Sequence, residues 1–430
     1  MTRERKPVRA GWAIRAWAFC LALTAVPAPA EEPPEQAGFA AALGDVEANR
    51  LRSARRRLEA LVAGNPSLLR ARLELARVCY LQRDYAAARA EANRVLAEPE
   101  LPAGVRTTVL AFLAQLDADE ARYAARHQVV GTLYAGAVYD TNVNVGPNRD
   151  VIDIAGDSFL INPADRETAD VGVVLTPGVT HTYNPGRRFA AGEQTGVAVW
   201  QSQASAYYRA YADESDFNLG VLTARTGPAW IVPGRWRAGL GVQADQVFLG
   251  QDGLALFGTV NPNVAWQLGQ DTELRVDGIV TQRMYQGSDN EGRDGWFRLG
   301  SVALTRYLAQ RRVGLQAGLG YAGFDADAQF LTYEGPEAFV GFIAQAWRRG
   351  TVYARAGYRR YDFDGREPVF DEPRDDDEYR LIAGFNHDLV AGPLAGWAVQ
   401  GAWTWTRNDS SIPIYEFDRQ QVNLGLARSF

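Results

Sequence analysis

The sequence predicts an all-α N-terminal region followed by an all-β C-terminal transmembrane antiparallel barrel of about fourteen strands. Three observations predict this fold class. The spacing of apolar residues changes from a helical period to strict alternation after His127. The connections between the predicted strands sort into short and long ones. No uncharged apolar stretch of roughly eighteen residues follows residue 30, so a transmembrane helix is not expected.

Residues 1–30 have the pattern of an export signal peptide. Basic residues precede an apolar run at residues 16–26, and Ala28-Pro29-Ala30 supplies the small side chains that signal peptidase requires. We expect cleavage before Glu31. Cys79 is then the one cysteine of the mature chain, so no internal disulfide is expected.

Residues 31–128 are predicted to form a helical domain that lies in the periplasm. Small and large apolar side chains at Ala54, Leu58 and Leu61 recur 34 residues later, at Ala88, Ala92 and Val95. A period of this length and composition resembles the tetratricopeptide repeat, in which pairs of antiparallel helices stack on one another.

The leading helices of such repeats line a groove for an extended partner segment. On the corresponding helix of this chain, that face carries Arg70, Leu73, Arg77 and Tyr80. The resemblance therefore implies a partner groove at these four residues. The alternative is a solvated helix surface over which the arginine stems lie.

Residues 129–430 are predicted to form the barrel, because long stretches alternate between polar and apolar side chains. The clearest stretches are residues 235–248, 273–284 and 415–430. The first two stretches, together with the strand predicted at 378–388, supply the charged residues that we expect to face the lumen: Arg237, Asp245, Glu273, Arg275, Asp277, Arg283 and Arg380. These charges would either set the selectivity of a pore or brace its wall as ion pairs.

The connections give a second indication of a membrane barrel. The links after even-numbered predicted strands are short, as at Pro233-Gly234 and Gly269-Gln270, whereas residues 141–168 and 362–377 are long links after odd-numbered strands. Outer-membrane barrels have short periplasmic turns and longer outer loops. Because residues 362–377 are rich in carboxylates, the sequence predicts an acidic outer rim.

Tryptophans near the predicted strand ends suit the two membrane interfaces, although some of them could fill the lumen instead. They are Trp200, Trp230, Trp236, Trp266, Trp296, Trp347, Trp403 and Trp405. The last strand ends with alternating apolar residues that look like the C-terminal signal for barrel insertion. These are Val422, Leu424, Leu426 and Phe430, interrupted by Arg428.

A short motif follows the first predicted strand: Tyr139, Asp140, Thr141, Asn142, Val143 and Asn144. It is similar to the Tyr-Asp-Ser/Thr-Asn-Val-Asn element of the surface lipoprotein assembly modifier family of Gram-negative outer membranes. The signal peptide, the helical repeats and the barrel together resemble that family over nearly the whole mature chain. From the residues alone, Asp and Asn at alternating positions predict a loop-capping turn or a rim turn that suits a cation.

The resemblance implies an outer-membrane protein that promotes the translocation or surface display of lipoproteins or related secreted cargo. The expected partners are this cargo, the barrel-insertion machinery and the lipid bilayer, and the chain is expected to be a monomer. The alternative is an outer-membrane porin or solute channel, for which the lumen charges are the selectivity residues.

An enzyme is not expected. The three histidines, His127, His181 and His387, are scattered and have no evident partners in sequence for a catalytic triad or a metal site. No cofactor is predicted. The net charge of −6 gives no support for a nucleic-acid partner.

Overall fold

The structure is a computed structural model that describes residues 34–123, 125–154 and 157–430. The predicted signal peptide, residues 1–30, lies outside the described residues. The described chain divides into two compact units. One contains the residues up to Ala125 together with Phe189–Thr195, and the other contains Arg126–Arg188 and Gly196–Phe430.

The described part of the first unit contains five helices, each of which packs on the next along the chain. They are α1 (Pro34–Glu47), α2 (Leu51–Gly64), α3 (Leu69–Leu81), α4 (Tyr85–Leu96) and α5 (Ala103–Tyr123). The repeat positions Ala54, Leu58, Ala88, Ala92 and Val95 are fully buried. The predicted all-α class is confirmed, while the tetratricopeptide character stays a prediction. None of the described helices is long and apolar enough to span a membrane.

A buried carboxylate near the end of α1, that of Asp45, binds one arginine of the following loop and one arginine of α2. Asp45 accepts a hydrogen bond from Arg50 Nε at 2.8 Å and another from Arg57 Nε at 2.9 Å. The hydrogen bond from Arg50, together with that from Arg57, holds the pKa of Asp45 below its ordinary value, although burial acts in the opposite direction.

Seventeen strands follow in the described chain: β1 (His127–Asp140), β2 (Val151–Ile154), β3 (Asp157–Leu160), β4 (Asp170–Tyr183), β5 (Arg188–Ala191), β6 (Gln194–Tyr211), β7 (Leu219–Val232), β8 (Trp236–Leu249), β9 (Asp252–Gln267), β10 (Thr272–Tyr285), β11 (Gly295–Leu308), β12 (Val313–Ala326), β13 (Tyr333–Trp347), β14 (Gly350–Glu367), β15 (Glu372–Asp388), β16 (Trp397–Ser410) and β17 (Phe417–Ser429). Fourteen of them close an antiparallel ring in the order β1, β4 and β6 to β17, with β17 paired back to β1. Strands β2 and β3 pair only with each other. The predicted barrel and its strand number are confirmed.

The two faces of the ring differ in composition, because neighbouring side chains of a strand point to opposite faces. Large apolar residues lie exposed on the outward face, among them Leu319 at 70%, Val340 at 59% and Leu424 at 55% exposure. All eight tryptophans named above share this outward parity in the strand register, Trp347 through its pairing with Gly350 after a register shift, so none fills the lumen. Lipid accommodates such an exterior, and closure of the ring satisfies the backbone groups that lipid cannot.

One predicted long link is wrong. Strand β14 continues to Glu367 and β15 begins at Glu372, so the charged run 362–377 is mostly a paired hairpin. Its carboxylates are largely partnered: Asp376 pairs with Arg374, and Asp377 accepts the Tyr358 hydroxyl at 2.6 Å. Only three of its eight carboxylates are in ion pairs with arginines of the described chain, those of Asp362, Asp371 and Asp376. The hairpin therefore keeps the acidic character that the sequence predicts.

Candidate functional site

The most completely hydrogen-bonded side chain of the barrel belongs to Asp140, at the end of β1, which is fully buried. Arg419 Nε on β17 donates to its two oxygens at 2.9 and 3.2 Å, and Gln421 Nε2 donates at 2.7 Å. The Tyr211 hydroxyl on β6 and the backbone N–H of Asn142 also donate to this carboxylate. Asp140 therefore links β1 to the adjacent β17 and, across β4, to β6.

A second arginine contacts the same carboxylate. Arg209 lies 3.9 Å from Asp140, and its guanidinium stacks over the Tyr211 ring at 4.9 Å. Its buried Nε has no hydrogen-bond partner among the described residues. Two arginines thus share one carboxylate at this level of the lumen, which leaves a positive charge.

The two asparagines of the motif fold the first long loop. Asn142, fully buried, donates to the carbonyls of Gly146 and Asp418 at 2.8 and 3.1 Å and accepts from the Gly146 N–H at 2.8 Å. Asn144 accepts from the Thr168 N–H at 3.1 Å. These contacts fit the loop-capping interpretation of the motif, and no cluster of metal-ligating side chains occurs in the part of the chain that the structure describes.

The start of this loop packs against the lumen side of the wall. Val143 is buried together with Val138 on β1, Val174 on β4 and Tyr211 on β6. The register gives these strand residues lumen-facing parity with Asp140. The start of the first long loop therefore packs onto the inner wall formed by β1, β4 and β6.

Most of the charged residues predicted to face the lumen are paired. Arg237 binds Glu273 through two hydrogen bonds of 2.7 and 2.8 Å, and Arg275 binds Asp277 through two of 2.6 and 2.7 Å. Arg380 lies 3.4 Å from Glu378. For these arginines the arrangement matches the wall-bracing ion pairs that the sequence left as an alternative.

The remaining two behave differently. Asp245 has no arginine within ion-pair distance among the described residues and instead accepts from the Thr223 hydroxyl at 2.6 Å and from Gln243 Nε2 at 2.8 Å. The Arg283 guanidinium has no described carboxylate partner either. It is surrounded by the rings of Phe297 and Phe324, both at 4.6 Å, and Phe257 at 5.8 Å.

Several lumen arginines were not found from the sequence, and two of them have no carboxylate within ion-pair distance among the described residues. Arg225 on β7 donates to Asn261 Oδ1 at 3.0 Å and occupies the room left by Gly241, where a Cβ would lie 2.6 Å from its Nε. Arg355 on β14 stacks over the Phe339 ring at 3.6 Å. Alternation within β7 and β14 was the signal that could have identified both.

The predicted partner groove of the helical unit is occupied within that unit. Leu73 packs against the buried Val109 and its neighbours on α5, and the Tyr80 hydroxyl donates to Asp119 of α5 at 2.5 Å. Arg70 stacks over Phe39, and Arg77 pairs with Glu74 at 3.3 Å. A partner segment would have to displace α5 to reach Leu73 or Tyr80.

The histidines are less scattered than the sequence indicates, because β1 and β4 are paired. His127 Nδ1 lies 3.0 Å from His181 Nε2. His387 accepts from Trp347 Nε1 at 2.8 Å. None of the three is hydrogen-bonded to a carboxylate or a hydroxyl nucleophile in the contacts that the described chain makes.

The predicted C-terminal signal lies on the outward face of β17 and just beyond it. Val422, Leu424 and Phe430 are exposed, and Leu426 shares their parity. Arg428, which interrupts the pattern, holds its guanidinium 4.9 Å from the Phe430 ring and 5.6 Å from the Trp397 ring. Its aromatic contacts let the arginine remain on an apolar face.

The fold and its two faces define a membrane β-barrel with a polar lumen and a helical N-terminal unit. A family model described as a protein of unknown function (DUF2860) matches residues 288–428, which lie within the barrel. No curated protein matches the chain.

Solved structures similar to this chain include three outer-membrane proteins. OprD of Pseudomonas aeruginosa is 13% identical, with 70% of this chain and 94% of that chain covered, at a TM-score of 0.35. An anion-selective porin from Comamonas acidovorans is 12% identical, with 71% and 99% covered, at 0.38. A loop-deletion mutant of OmpT from Vibrio cholerae is 10% identical, with 71% and 100% covered, at 0.37.

Proposed function

We propose that this chain is a channel in a Gram-negative outer membrane through which small polar solutes diffuse. The observation that supports the proposal is the contrast between the two faces of the fourteen-stranded ring. Charged, amide and hydroxyl side chains line the inner face, and exposed apolar side chains cover the outer one. Barrels that enclose a water-filled path have this arrangement.

The inner face is polar at several depths. The hydroxyls of Thr259 and Thr281 lie 2.9 Å apart, and Asn261 Nδ2 donates to the Gly278 carbonyl at 2.7 Å. A wall with such groups offers donors and acceptors to water and to polar solutes, unlike a lumen filled by apolar side chains.

Planar-bilayer recording tests the channel directly. The purified mature protein, added from detergent to a bilayer in potassium chloride, is expected to give discrete and steady ohmic steps of conductance. The same preparation boiled before addition is the control and should give none. A protein that is folded by its unheated gel mobility but inserts without conducting would contradict the proposal.

A second candidate function is the translocation or surface display of exported lipoproteins or related cargo. The helical unit favours it, because five packed helices precede the first strand and passive diffusion does not require them. In this case the helical unit lies in the periplasm and engages cargo or the insertion machinery, and the alternating C-terminal residues guide assembly of the barrel.

Surface exposure of cargo separates the two candidates. A translocation factor conducts poorly but brings a co-expressed lipoprotein to the cell surface, where an external protease reaches it. Deletion of residues 31–128 should abolish that exposure while the barrel is still inserted. Cargo exposure that is the same with and without the chain would reject this second function.

A further inference from the structure

We infer that the lumen selects small anions, an inference that rests on the proposed channel function. Three lumen-facing guanidiniums, those of Arg225, Arg283 and Arg355, have no carboxylate within 4.0 Å among the described residues. A fixed charge inside a narrow, low-dielectric wall attracts ions of opposite sign along the path.

The three arginines lie at different levels and on different sides of the ring. Arg355 is near the short-turn end of β14, Arg225 is in the middle of β7, and Arg283 is near the long-loop end of β10. An anion that passes through the lumen therefore meets uncompensated positive charge near both ends and at the middle.

Uncharged partners hold each of these arginines in place. Arg283 lies among three phenylalanine rings, and Arg355 stacks on Phe339, whose ring lies where a Cβ of Gly318 would be. Arg225 contacts an amide oxygen. Rings and amides orient a guanidinium without cancelling its charge, and its N–H donors suit carboxylate or phosphate oxygens.

The other lumen charges do not offset this excess. Five further lumen arginines each lie within ion-pair distance of a carboxylate: Arg237, Arg275, Arg359, Arg380 and Arg419. Arg209 shares Asp140 with Arg419. Asp245 is the one unpaired lumen carboxylate that we find between the rims in the described strands. The lumen is thus positive although the whole chain carries a net charge of −6.

The reversal potential across a tenfold gradient of potassium chloride tests the inference. The reversal potential of the wild-type channel should have the sign of the chloride equilibrium potential, with chloride several-fold more permeant than potassium. The combined variant Arg225→Gln, Arg283→Gln, Arg355→Gln should lose most of that preference, and Asp245→Asn should increase it. Arg298→Gln, on the outward face, is the matched control and should leave the potential unchanged.

The outcomes separate the inference from the function on which it rests. A wild-type channel that conducts without preference, or prefers potassium, overturns the anion selectivity and leaves the channel intact. Absence of conductance overturns the channel itself. An unchanged potential in the triple variant overturns the assignment to these arginines. If the triple variant does not fold, Asp245→Asn and the three single variants test the same assignment. Asp245→Asn should shift the reversal potential towards chloride, and each single arginine variant should shift it away from chloride.

Discussion

Arg419 on the last strand donates two hydrogen bonds to Asp140 on the first strand across the seam where the ring closes, one from Nε to Oδ1 at 2.9 Å and one from Nη2 to Oδ2. The two residues are 279 positions apart in sequence. The strands pair from Thr132 with Ser429 to Asp140 with Gln421. This ion pair therefore fixes one end of the seam, and its carboxylate also binds Tyr211 on the far side of β4.

We expect Asp140→Asn to destabilise the barrel strongly, because it leaves Arg419 and Arg209 without their carboxylate in a buried site. Loss of one partner of a buried pair costs about 3–5 kcal/mol. The measurement is urea unfolding in detergent, followed by the mobility of unheated protein on a gel. Asp325→Asn removes an exposed pair with Arg298 and should cost about 0–1 kcal/mol. Equal midpoints for the two variants would contradict the role given to Asp140.

Asn142→Ala should loosen the first long loop. The substitution leaves the carbonyls of Gly146 and Asp418 without their donor, which costs about 1–3 kcal/mol for buried groups. Trypsin should then cut faster at Arg149 or Arg166 while the strands remain protected. Asn162→Ala, an exposed site in the same loop, is the control. A cleavage rate no faster than that of the control would show that Asn142 does not hold the loop.

Leu116→Ala should detach α5 from the helical core. Leu116 is fully buried among residues of α1 to α4, and truncation of such a leucine costs about 2–5 kcal/mol. Amide hydrogen exchange on the full chain should speed up in α5 and in the face of α3 that it covers. Leu110→Ala changes a side chain of the same helix that is 52% exposed and should have little effect. Similar exchange in both variants would argue against packing of α5 on this face.

The contribution of Asp45 should depend on pH. Because its hydrogen bonds with Arg50 and Arg57 lower the folded-state pKa below the unfolded value, its stabilisation is fully present above the unfolded value and is lost as the pH falls through the folded one. Asp45→Asn should therefore speed hydrogen exchange in α1 and α2 at neutral pH and make progressively less difference in acid. The exposed Glu100→Gln is the control, and a pH-independent difference for Asp45→Asn would be the contrary result.

Local periodicity predicted the helices and strands well, because both the alternation along a strand and the helical spacing are patterns of residues that lie close together in the sequence. Long-range pairing could not be predicted in the same way. The run 362–377 resembles a charged loop because it is rich in carboxylates, and its hairpin becomes visible only in the pairing of β14 with β15. Likewise, α5 lies outside the 34-residue period. The repeat pattern therefore could not predict that α5 covers Leu73 and Tyr80.

The same distinction between local pattern and long-range pairing applies to the lumen residues. The sequence supplied Arg237, Glu273 and Arg283 from alternation, but it could not tell a paired arginine from an unpaired one. That difference depends on which strand lies next to which, as when Phe257, Phe297 and Phe324 gather around Arg283 from three strands. Asp140 was found as a motif residue, while its partner Arg419 required closure of the ring.

The most direct test uses two variants of the protein in liposomes, each with one cysteine introduced on β12. Leu319→Cys and Gln316→Cys are labelled with bimane; Cys79 reacts slowly because burial raises its pKa to about 11, and Cys20 is predicted to leave with the signal peptide. We predict quenching of the label at position 319 by brominated lipid and not by aqueous iodide, and the reverse at position 316. Quenching of both labels by iodide alone would contradict a lipid-facing exterior, and with it the channel.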